Sequence, residues 1–251
     1  MIKNIAIILQ YDGTRYSGWQ KQGNTKNTIQ SKLENILFNL SSTEIEVHGS
    51  GRTDAGVHAF GQTANFKIDT DKSPEELMDC INELLPNDIA VISSREVSSR
   101  FHSRLNSIKK TYRYRILTGK VPNIFYEKYT FHHKDKLNVC EMKNCIHHLT
   151  GTHDFKSFTD NKKGNKSTVR TIESIEITEN CNEITIDLTG NGFLYHMARI
   201  IVGTLIKVGE GKISPESIPD ILKSLSRENA GPLAPAKGLM LMKVYYWFRD
   251  V

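Results

Sequence analysis

Two strand-like runs flank a glycine-rich turn in the stretch IEVHGSGRTDAGVHAFGQTANFKI, residues 45–68. Apolar and polar residues alternate over 45–47 before the turn and over 64–68 after it. Alternation with a period of two is typical of strands that bury one face. The turn therefore connects two strands of a sheet, and it carries Asp54.

The flanking sequence predicts more strands and helices. Residues 5–11 form a β-prone run, and apolar residues then recur at helical spacing over 29–40, with Asn27 as the N-cap. Ser73 and Glu76 bracket a proline in a capping-box pattern, which opens a second helix. Further strands are predicted near 89–97, 108–117, 169–178, 183–189 and 239–247, and further helices near 138–149, over 193–208 and from 215 onward.

The order of these elements predicts an α+β fold. Both halves of the chain mix antiparallel-type strands with helices, and both contain a Ser-Pro-Glu helix start, at Ser73 and at Ser214, which suggests an internal duplication. A chain of 251 residues exceeds the usual size of one domain. We therefore expect an N-terminal lobe over 1–105, which carries the Asp54 turn, and a C-terminal lobe over 106–251.

Composition indicates a globular protein that is compatible with a polyanionic partner. The net charge is +5 and the pI is near 8.9, values that many proteins without such a partner share. One of the basic runs lies in a predicted exposed loop at 161–166. No apolar run reaches the ~20 residues that span a bilayer, and the N-terminus shows no signal-peptide pattern. We expect a cytoplasmic protein without membrane contact, whose four cysteines are reduced.

Asp54 is the first candidate catalytic residue. Arg52 supplies a guanidinium two residues away, which favours the ionised carboxylate, and Gly51 and Gly56 let a bulky substrate approach the backbone. On these residues alone, a structural role for Asp54 in an Asx turn explains the pattern at least as well.

A second candidate is the alternating segment at 110–115. As a strand it places Tyr112 and Tyr114 on one face and Arg113 and Arg115 on the other. Aromatic rings that stack on bases and arginines that hold phosphates are what binding of unstacked RNA requires. A strand with one core-facing aromatic side and one wet side is an equally common explanation.

The predicted helix over 193–208 contributes Arg199, a charge inside a largely apolar run. Such a charge requires a partner. The partner is either a structural carboxylate or a catalytic one.

A metal site is the competing chemical interpretation, because several histidines and two cysteines cluster in sequence. Their spacing fits no metal-ligand template, and Asp54 with His58 cannot close a site. The cluster comprises His132, His133, Cys140, Cys145, His147, His148 and His153. We therefore expect neither a metal nor a hydrolase or deaminase that depends on one.

Taken together, the motifs resemble those of the tRNA pseudouridine synthase A family along nearly the whole chain. The shared motifs are Tyr11-Asp12-Gly13, Gly18-Trp19-Gln20, Gly51 to His58, Phe101-His102-Ser103-Arg104, Tyr112-Arg113-Tyr114, Asp154-Phe155, Ser157-Phe158, Asn191 to Gly203, Ala234-Pro235-Ala236 and Gly238-Leu239. Asn191-Gly192-Phe193 stands where some relatives have Asn-Ala-Phe, a difference that we expect to be neutral.

The resemblance implies roles for individual residues. Asp54 is then the nucleophilic aspartate, Tyr112 the tyrosine that contacts the target base, and Arg199 the cation that pairs with the aspartate. Leu239 or Leu241 would supply an apolar wall. For the tRNA backbone, our candidates are Arg52, Arg113 and Arg115.

The resemblance also implies the reaction and the architecture. The family isomerises uridine at positions 38, 39 and 40 of the tRNA anticodon stem-loop without a cofactor, and it forms homodimers. Its fold has two ferredoxin-like, RRM-like lobes related by a pseudo-twofold axis, joined by an extended antiparallel sheet with a central basic cleft. A non-catalytic tRNA-binding protein on the same scaffold, in which Asp54 only shapes a turn, is the alternative function.

Overall fold

A computed structural model describes residues 1–161 and 167–247. In chain order the strands are β1 (Ile2–Tyr11), β2 (His48–Gly49), β3 (His58–Asp69), β4 (Ile89–Val97), β5 (Lys109–Thr118), β6 (Phe131–His133), β7 (Gly151–Asp154), β8 (Val169–Asn180), β9 (Glu183–Gly190) and β10 (Leu239–Tyr245). The helices are α1 (Ile29–Ser41), α2 (Pro74–Leu84), α3 (Val139–Asn144), α4 (Ile146–Leu149), α5 (Met197–Gly209) and α6 (Ile218–Ser224). The predicted α+β class is confirmed.

The chain divides into two compact units. The first comprises Met1–Ile108 and the segment that begins at Met240, and the second comprises Lys109–Leu239. The division falls a few residues after the expected end of the first lobe at 105. It also differs in that the chain returns to the first unit, because β10 pairs with β3.

The sheet of the first unit places β1 between β3 and β4, antiparallel to both. The short strand β2 pairs with β3, and β10 runs parallel to β3 with Met240 opposite His58 and Leu241 opposite Ala59. This pairing falls at the start of β3, directly after the Asp54 turn. The turn therefore leads into a strand that is paired along its length with β1 and at its start with β10.

The second unit is built on the antiparallel strands β5, β9, β8 and β7, with β6 parallel to β5. Side chains alternate along β9, so that Ile184, Ile186 and Leu188 are buried. Helix α5 is apolar nearly all round, and most of its residues are buried, which is the pattern of a core helix.

Most predicted elements lie where the sequence placed them. The capping box at Ser73 and Glu76 is confirmed, since Glu76 N donates to Ser73 Oγ and Ser73 N to the Glu76 carboxylate. Helix α1 is capped by Thr28 rather than Asn27. Helix α5 begins at Met197 rather than at 193, and β6 and β7 were not predicted.

Two further expectations concern the surface. The exposed basic loop predicted at 161–166 lies, apart from Asn161, outside the described residues. Across the described ranges, no helix has the length and apolar character that crossing a bilayer requires.

Candidate active site

Asp54 lies half-buried in the turn between β2 and β3. Val57 N donates to Asp54 O (3.1 Å) and closes the turn. Two main-chain hydrogen bonds tie it to the segment after β1: Trp19 N donates to Thr53 O (3.1 Å), and Gly56 N donates to the carbonyl of Tyr16 (3.3 Å). The backbone on both sides of Asp54 is thereby fixed.

Two glycines allow this close approach. Gly18 has φ +89°, and a Cβ added there would stand 2.5 Å from Thr53 O and 3.1 Å from the Asp54 carbonyl carbon. A Cβ on Gly13 would overlap the carbonyl of Val57, and Gly13 N donates to His58 Nδ1 (3.1 Å). Only glycine fits where two backbones pack directly together.

Buried side chains support the turn from within the unit. The hydroxyls of Tyr11 and Thr53 are 2.8 Å apart, and both residues are buried. Burial raises the pKa of Tyr11 well above its usual value, although the hydrogen bond to Thr53 opposes the shift, so the phenol stays protonated. The Trp19 ring packs against Gly49 of β2, and a Cβ added to Gly49 would overlap that ring.

Ser50 and Gly51, which precede Asp54, are held by Gln62, a fully buried residue of β3. Ser50 Oγ donates to Gln62 Oε1 (2.6 Å), and Gln62 Nε2 donates to Gly51 O (2.8 Å). The turn is therefore rigid before and after Asp54. A rigid, partly open carboxylate is suited to a reaction that needs a positioned nucleophile or base.

Arg52 is exposed, and its Nε donates to Gln20 Oε1 (3.0 Å). Gln20 Nε2 donates in turn to Gln30 Oε1 (2.9 Å) on α1. Arg52 is thus oriented by a neutral amide. This contact does not compensate its positive charge.

In the second unit, the aromatic side of β5 faces the core. Tyr114 is fully buried and donates its hydroxyl to Pro235 O (2.9 Å), while Tyr112 is 7% exposed and meets Phe193 edge-on at 5.0 Å. The core-facing explanation of the alternating pattern therefore holds for Tyr114. Tyr112 lies beside the Asn191-Gly192-Phe193 motif and keeps a small exposed fraction.

The arginines of β5 are paired across the ladder with β9. Arg113 donates to both oxygens of Asp187 (2.7 and 2.6 Å), and Arg115 Nε donates to Glu183 (2.5 Å). Hydrogen bonding to Asp187 raises the pKa of Arg113. A phosphate would have to compete with these carboxylates for both guanidinium groups.

Arg199 lies in the first turn of α5. Its Nε donates to Ala234 O (2.7 Å), and Ala234 N donates to Arg199 O (3.2 Å). The segment before Ala234 packs so closely that a Cβ on Gly203 would overlap the carbonyl of Pro232. The Ala234-Pro235-Ala236 motif therefore holds Arg199 and, through Pro235, the hydroxyl of Tyr114.

The two candidate wall residues, Leu239 and Leu241, are two positions apart on β10 and are 4% and 0% exposed. Strand geometry places both on one face. Leu241 is the one that pairs with Ala59, five residues after Asp54.

Three histidines of the competing metal interpretation contact separate partners. His132 Nε2 contacts Gly119 O (2.6 Å), His153 Nε2 contacts Thr150 O (2.8 Å), and His133 Nε2 contacts Glu210 (3.1 Å). Within 1–161 and 167–247, no three His, Cys, Asp or Glu side chains are grouped to hold a metal ion.

Local sequence patterns did not indicate the residues that hold Asp54 and Arg199 in place. Tyr11, Gly18 and Gln62 fix the Asp54 turn, and Ala234 fixes Arg199. All of them except Gln62 lie in the motifs shared with the family. These motifs, and not periodicity or charge, could therefore have indicated that the residues matter.

Similarity to known proteins identifies the family of the chain. A family model described as tRNA pseudouridine synthase matches residues 7–106 and 145–247. A protein of Bacillus cereus (strain ZK / E33L) named tRNA pseudouridine synthase A 2 is 44% identical over 98% of this chain and 100% of its own length. Clostridium tetani (strain Massachusetts / E88) has two such relatives, named tRNA pseudouridine synthase A 1 and A 2, at 46% and 44% identity and the same coverage. The chain therefore belongs to the tRNA pseudouridine synthase family.

Proposed function

We propose that this protein isomerises uridine to pseudouridine at positions 38, 39 and 40 of the tRNA anticodon stem-loop, with Asp54 as its catalytic carboxylate. Family membership gives the reaction class, the isomerisation of uridine in tRNA. The observation that supports Asp54 is its place in a turn whose backbone is hydrogen-bonded or packed against Tyr16, Gly18 and Trp19.

The reaction breaks the bond between C1′ of the ribose and N1 of uracil, turns the base, and joins C1′ to C5. An ionised Asp54 can attack the base ring, attack C1′, or remove a sugar proton to give a glycal. All three paths need a carboxylate fixed against a caged substrate. A rigid turn serves each of them, because the carboxylate needs no reordering once the base is bound.

A base in a stem must leave the stack first, at a cost of a few kcal/mol that protein contacts offset. Arg52 is exposed and oriented by Gln20, so we assign it the main contact with the tRNA backbone near the target. Arg113 and Arg115 are assigned weaker contacts, since both already donate to carboxylates.

Tyr112, Arg199 and Leu239 complete the proposal. Tyr112 contacts the target base, Arg199 stabilises the carboxylate form of Asp54, and Leu239 or Leu241 supplies an apolar wall for the uracil. The proposed architecture is two ferredoxin-like lobes related by a pseudo-twofold axis, with an extended antiparallel sheet and a basic cleft.

Under this proposal the protein also acts in the cytoplasm and as a homodimer, the assembly that the family resemblance implies. Sedimentation velocity at micromolar concentration tests the assembly. A single species near 28.5 kDa, the mass of one chain, would contradict the dimer.

Release of tritium from tRNA labelled at uracil C5 tests the central assignment. Asp54→Ala should reduce release at least about 1,000-fold, while tRNA binding persists. Asp71→Ala, which removes an exposed aspartate of the same unit, is the matched control and should match the unsubstituted protein. Substantial release by the Asp54→Ala variant would exclude Asp54 as the catalytic group.

The same assay separates the enzyme from a non-catalytic tRNA-binding protein, because binding alone cannot labilise the C5 hydrogen. Tyr112→Phe tests a narrower point. Unchanged release by that variant would exclude a required role for the hydroxyl in proton transfer and leave the ring contact in place.

A further inference from the structure

Two aromatic rings stack in the turn that leads into α5. The rings of Tyr195 and His196 lie 3.7 Å apart between centroids, at an interplanar angle of 26°. Tyr195 is 55% exposed, whereas His196 is largely covered. More than half of Tyr195 is therefore exposed to solvent, although it stacks on His196.

Hydrogen bonds from a neighbouring segment hold this stack in place. Thr159 Oγ1 donates to Tyr195 O (2.9 Å), and the Asp160 carboxylate lies 2.6 Å from His196 Nδ1. Arg227 Nε donates to the other Asp160 oxygen (2.8 Å). Burial opposes ionisation of Asp160, but the hydrogen bonds from His196 and Arg227 outweigh it and lower its pKa, so the carboxylate stays charged at neutral pH.

The backbone of His196 is strained. It has φ 64° and ψ 0°, the left-handed region, where a residue other than glycine costs about 1–2 kcal/mol. Because His196 adopts this conformation, α5 begins only at Met197, and Tyr195 lies outside the helix. Strain of this kind persists where the surroundings enforce it, and it clusters at sites of function.

A cation contacts the same turn. Arg170 of β8 lies beside Gly192, three residues before Tyr195, with Cδ 3.7 Å from the position of an added Cβ. Its Nη1 donates to the carbonyls of Ser167 and Val169, which are neutral acceptors and leave its charge in place. An exposed aromatic ring in a turn that an arginine contacts is the combination that binds single-stranded nucleic acid, since the base stacks and the cation attracts the backbone.

We propose that the Tyr195–His196 stack is a binding subsite for one unpaired nucleobase of the tRNA substrate. The inference rests on the tRNA substrate of the proposed function and concerns a second nucleotide, not the uridine that is isomerised. The base extends the stack on the open face of Tyr195, with His196 as the fixed inner layer. Stacking of this kind tolerates any base, because every base has a π-face.

Equilibrium binding of unlabelled bulk tRNA to proteins in the Asp54→Ala background tests the subsite without turnover. Tyr195→Ala should raise Kd about 5- to 100-fold, the range expected for one lost stacking contact. Tyr195→Phe and Tyr195→Trp should bind within about twofold of the parent, because both keep an aromatic face. Phe38→Ala, which removes an exposed aromatic ring of α1, sets the size of a non-specific effect.

The salt dependence of binding separates stacking from phosphate contact. Loss of a stacked base should leave the slope of log K against log salt unchanged, whereas loss of one phosphate contact reduces it by about 0.7 to 0.9. Tyr195→Leu keeps an apolar side chain without a ring and should bind as weakly as Tyr195→Ala. It also serves if the alanine variant does not fold.

Three results would overturn the subsite: a Kd for Tyr195→Ala no higher than for Phe38→Ala, tight binding by Tyr195→Leu, or a reduced salt slope. The proposed function fails by a different readout. It fails if the unsubstituted protein releases no tritium from labelled tRNA, whatever Tyr195 contributes to binding.

Discussion

Gly18 packs against the backbone of Thr53, the residue before Asp54, so closely that an added Cβ would stand 2.5 Å from the Thr53 carbonyl oxygen. Gly18→Ala must therefore displace the Asp54 turn, and it also places alanine at φ +89°. We expect a loss of stability of about 1–3 kcal/mol and a fall in kcat of at least about tenfold. Thermal melting and tritium release measure the two effects.

Gly23→Ala is the matched control for that variant, because an added Cβ at Gly23 meets no atom within 4 Å. It should leave both quantities unchanged. Normal turnover by a folded Gly18→Ala protein would show that the position of the Asp54 turn is not critical.

Arg52 and Arg113 should differ in their contribution to tRNA binding. Arg52 Nε donates to a neutral amide, whereas Arg113 donates to both oxygens of Asp187. Each neutralised phosphate contributes about 0.7 to 0.9 to the salt slope of binding. We expect Arg52→Gln to reduce the slope by about that amount and Arg113→Gln to change it by much less. A larger reduction with Arg113→Gln would show that tRNA displaces Asp187.

Arg199 should contribute to turnover more than to binding. Arg199→Lys keeps a cation but loses the Nε donor that holds the side chain on Ala234 O, so the charge is no longer fixed. We expect kcat to fall about 10- to 100-fold with Kd for tRNA nearly unchanged. Single-turnover kinetics measure the fall in the rate of reaction. Lys223→Gln, an exposed cation of α6, is the control, and an equal loss there would argue against a specific role.

Glu210 should make stability depend on pH in the acid range. Burial opposes its ionisation, but hydrogen bonds from Lys207, Lys212 and His133 outweigh burial and lower its pKa from 4.5 to about 2. A pKa that is lower in the folded state stabilises the protein above the unfolded pKa, and this gain is lost as pH falls toward the folded value.

The free energy of unfolding of the Glu210→Gln variant should therefore be about 1 kcal/mol lower than that of the parent protein at pH 7. This value is reduced for solvent screening. The difference from the parent protein should shrink between pH 4.5 and pH 2. Urea denaturation across this range measures it. A difference that is constant with pH would show that the carboxylate charge is not the cause.

Local side-chain signals made part of this structure predictable. The capping box at Ser73 correctly gave the start of α2, and the alternation along β5 correctly placed Tyr112 and Tyr114 on one face and Arg113 and Arg115 on the other. Partners distant in sequence were not readable, because no local pattern encodes them. Asp187, the partner of Arg113, is 74 residues away.

The same limit applies to the candidate site. The sequence located Asp54 on a connection between strands, as the structure has it, but no local pattern indicated that Tyr11 and Gly18 hold the turn. The helix expected from 193 begins at Met197, since His196 adopts a left-handed conformation that propensity favours for glycine rather than histidine. Long-range contacts and backbone strain thus account for most differences between the predicted and the observed structure.

The pairing of β10 with β3 has a consequence for biosynthesis. Met240 lies opposite His58, four residues after Asp54, and a Cβ on Gly61 would stand 2.5 Å from Met242 O. The ribosome makes residues 1–108 well before this strand emerges. The sheet next to Asp54 therefore stays one strand short until nearly all of the described chain has been translated, so a shorter nascent chain cannot complete the surroundings of the Asp54 turn.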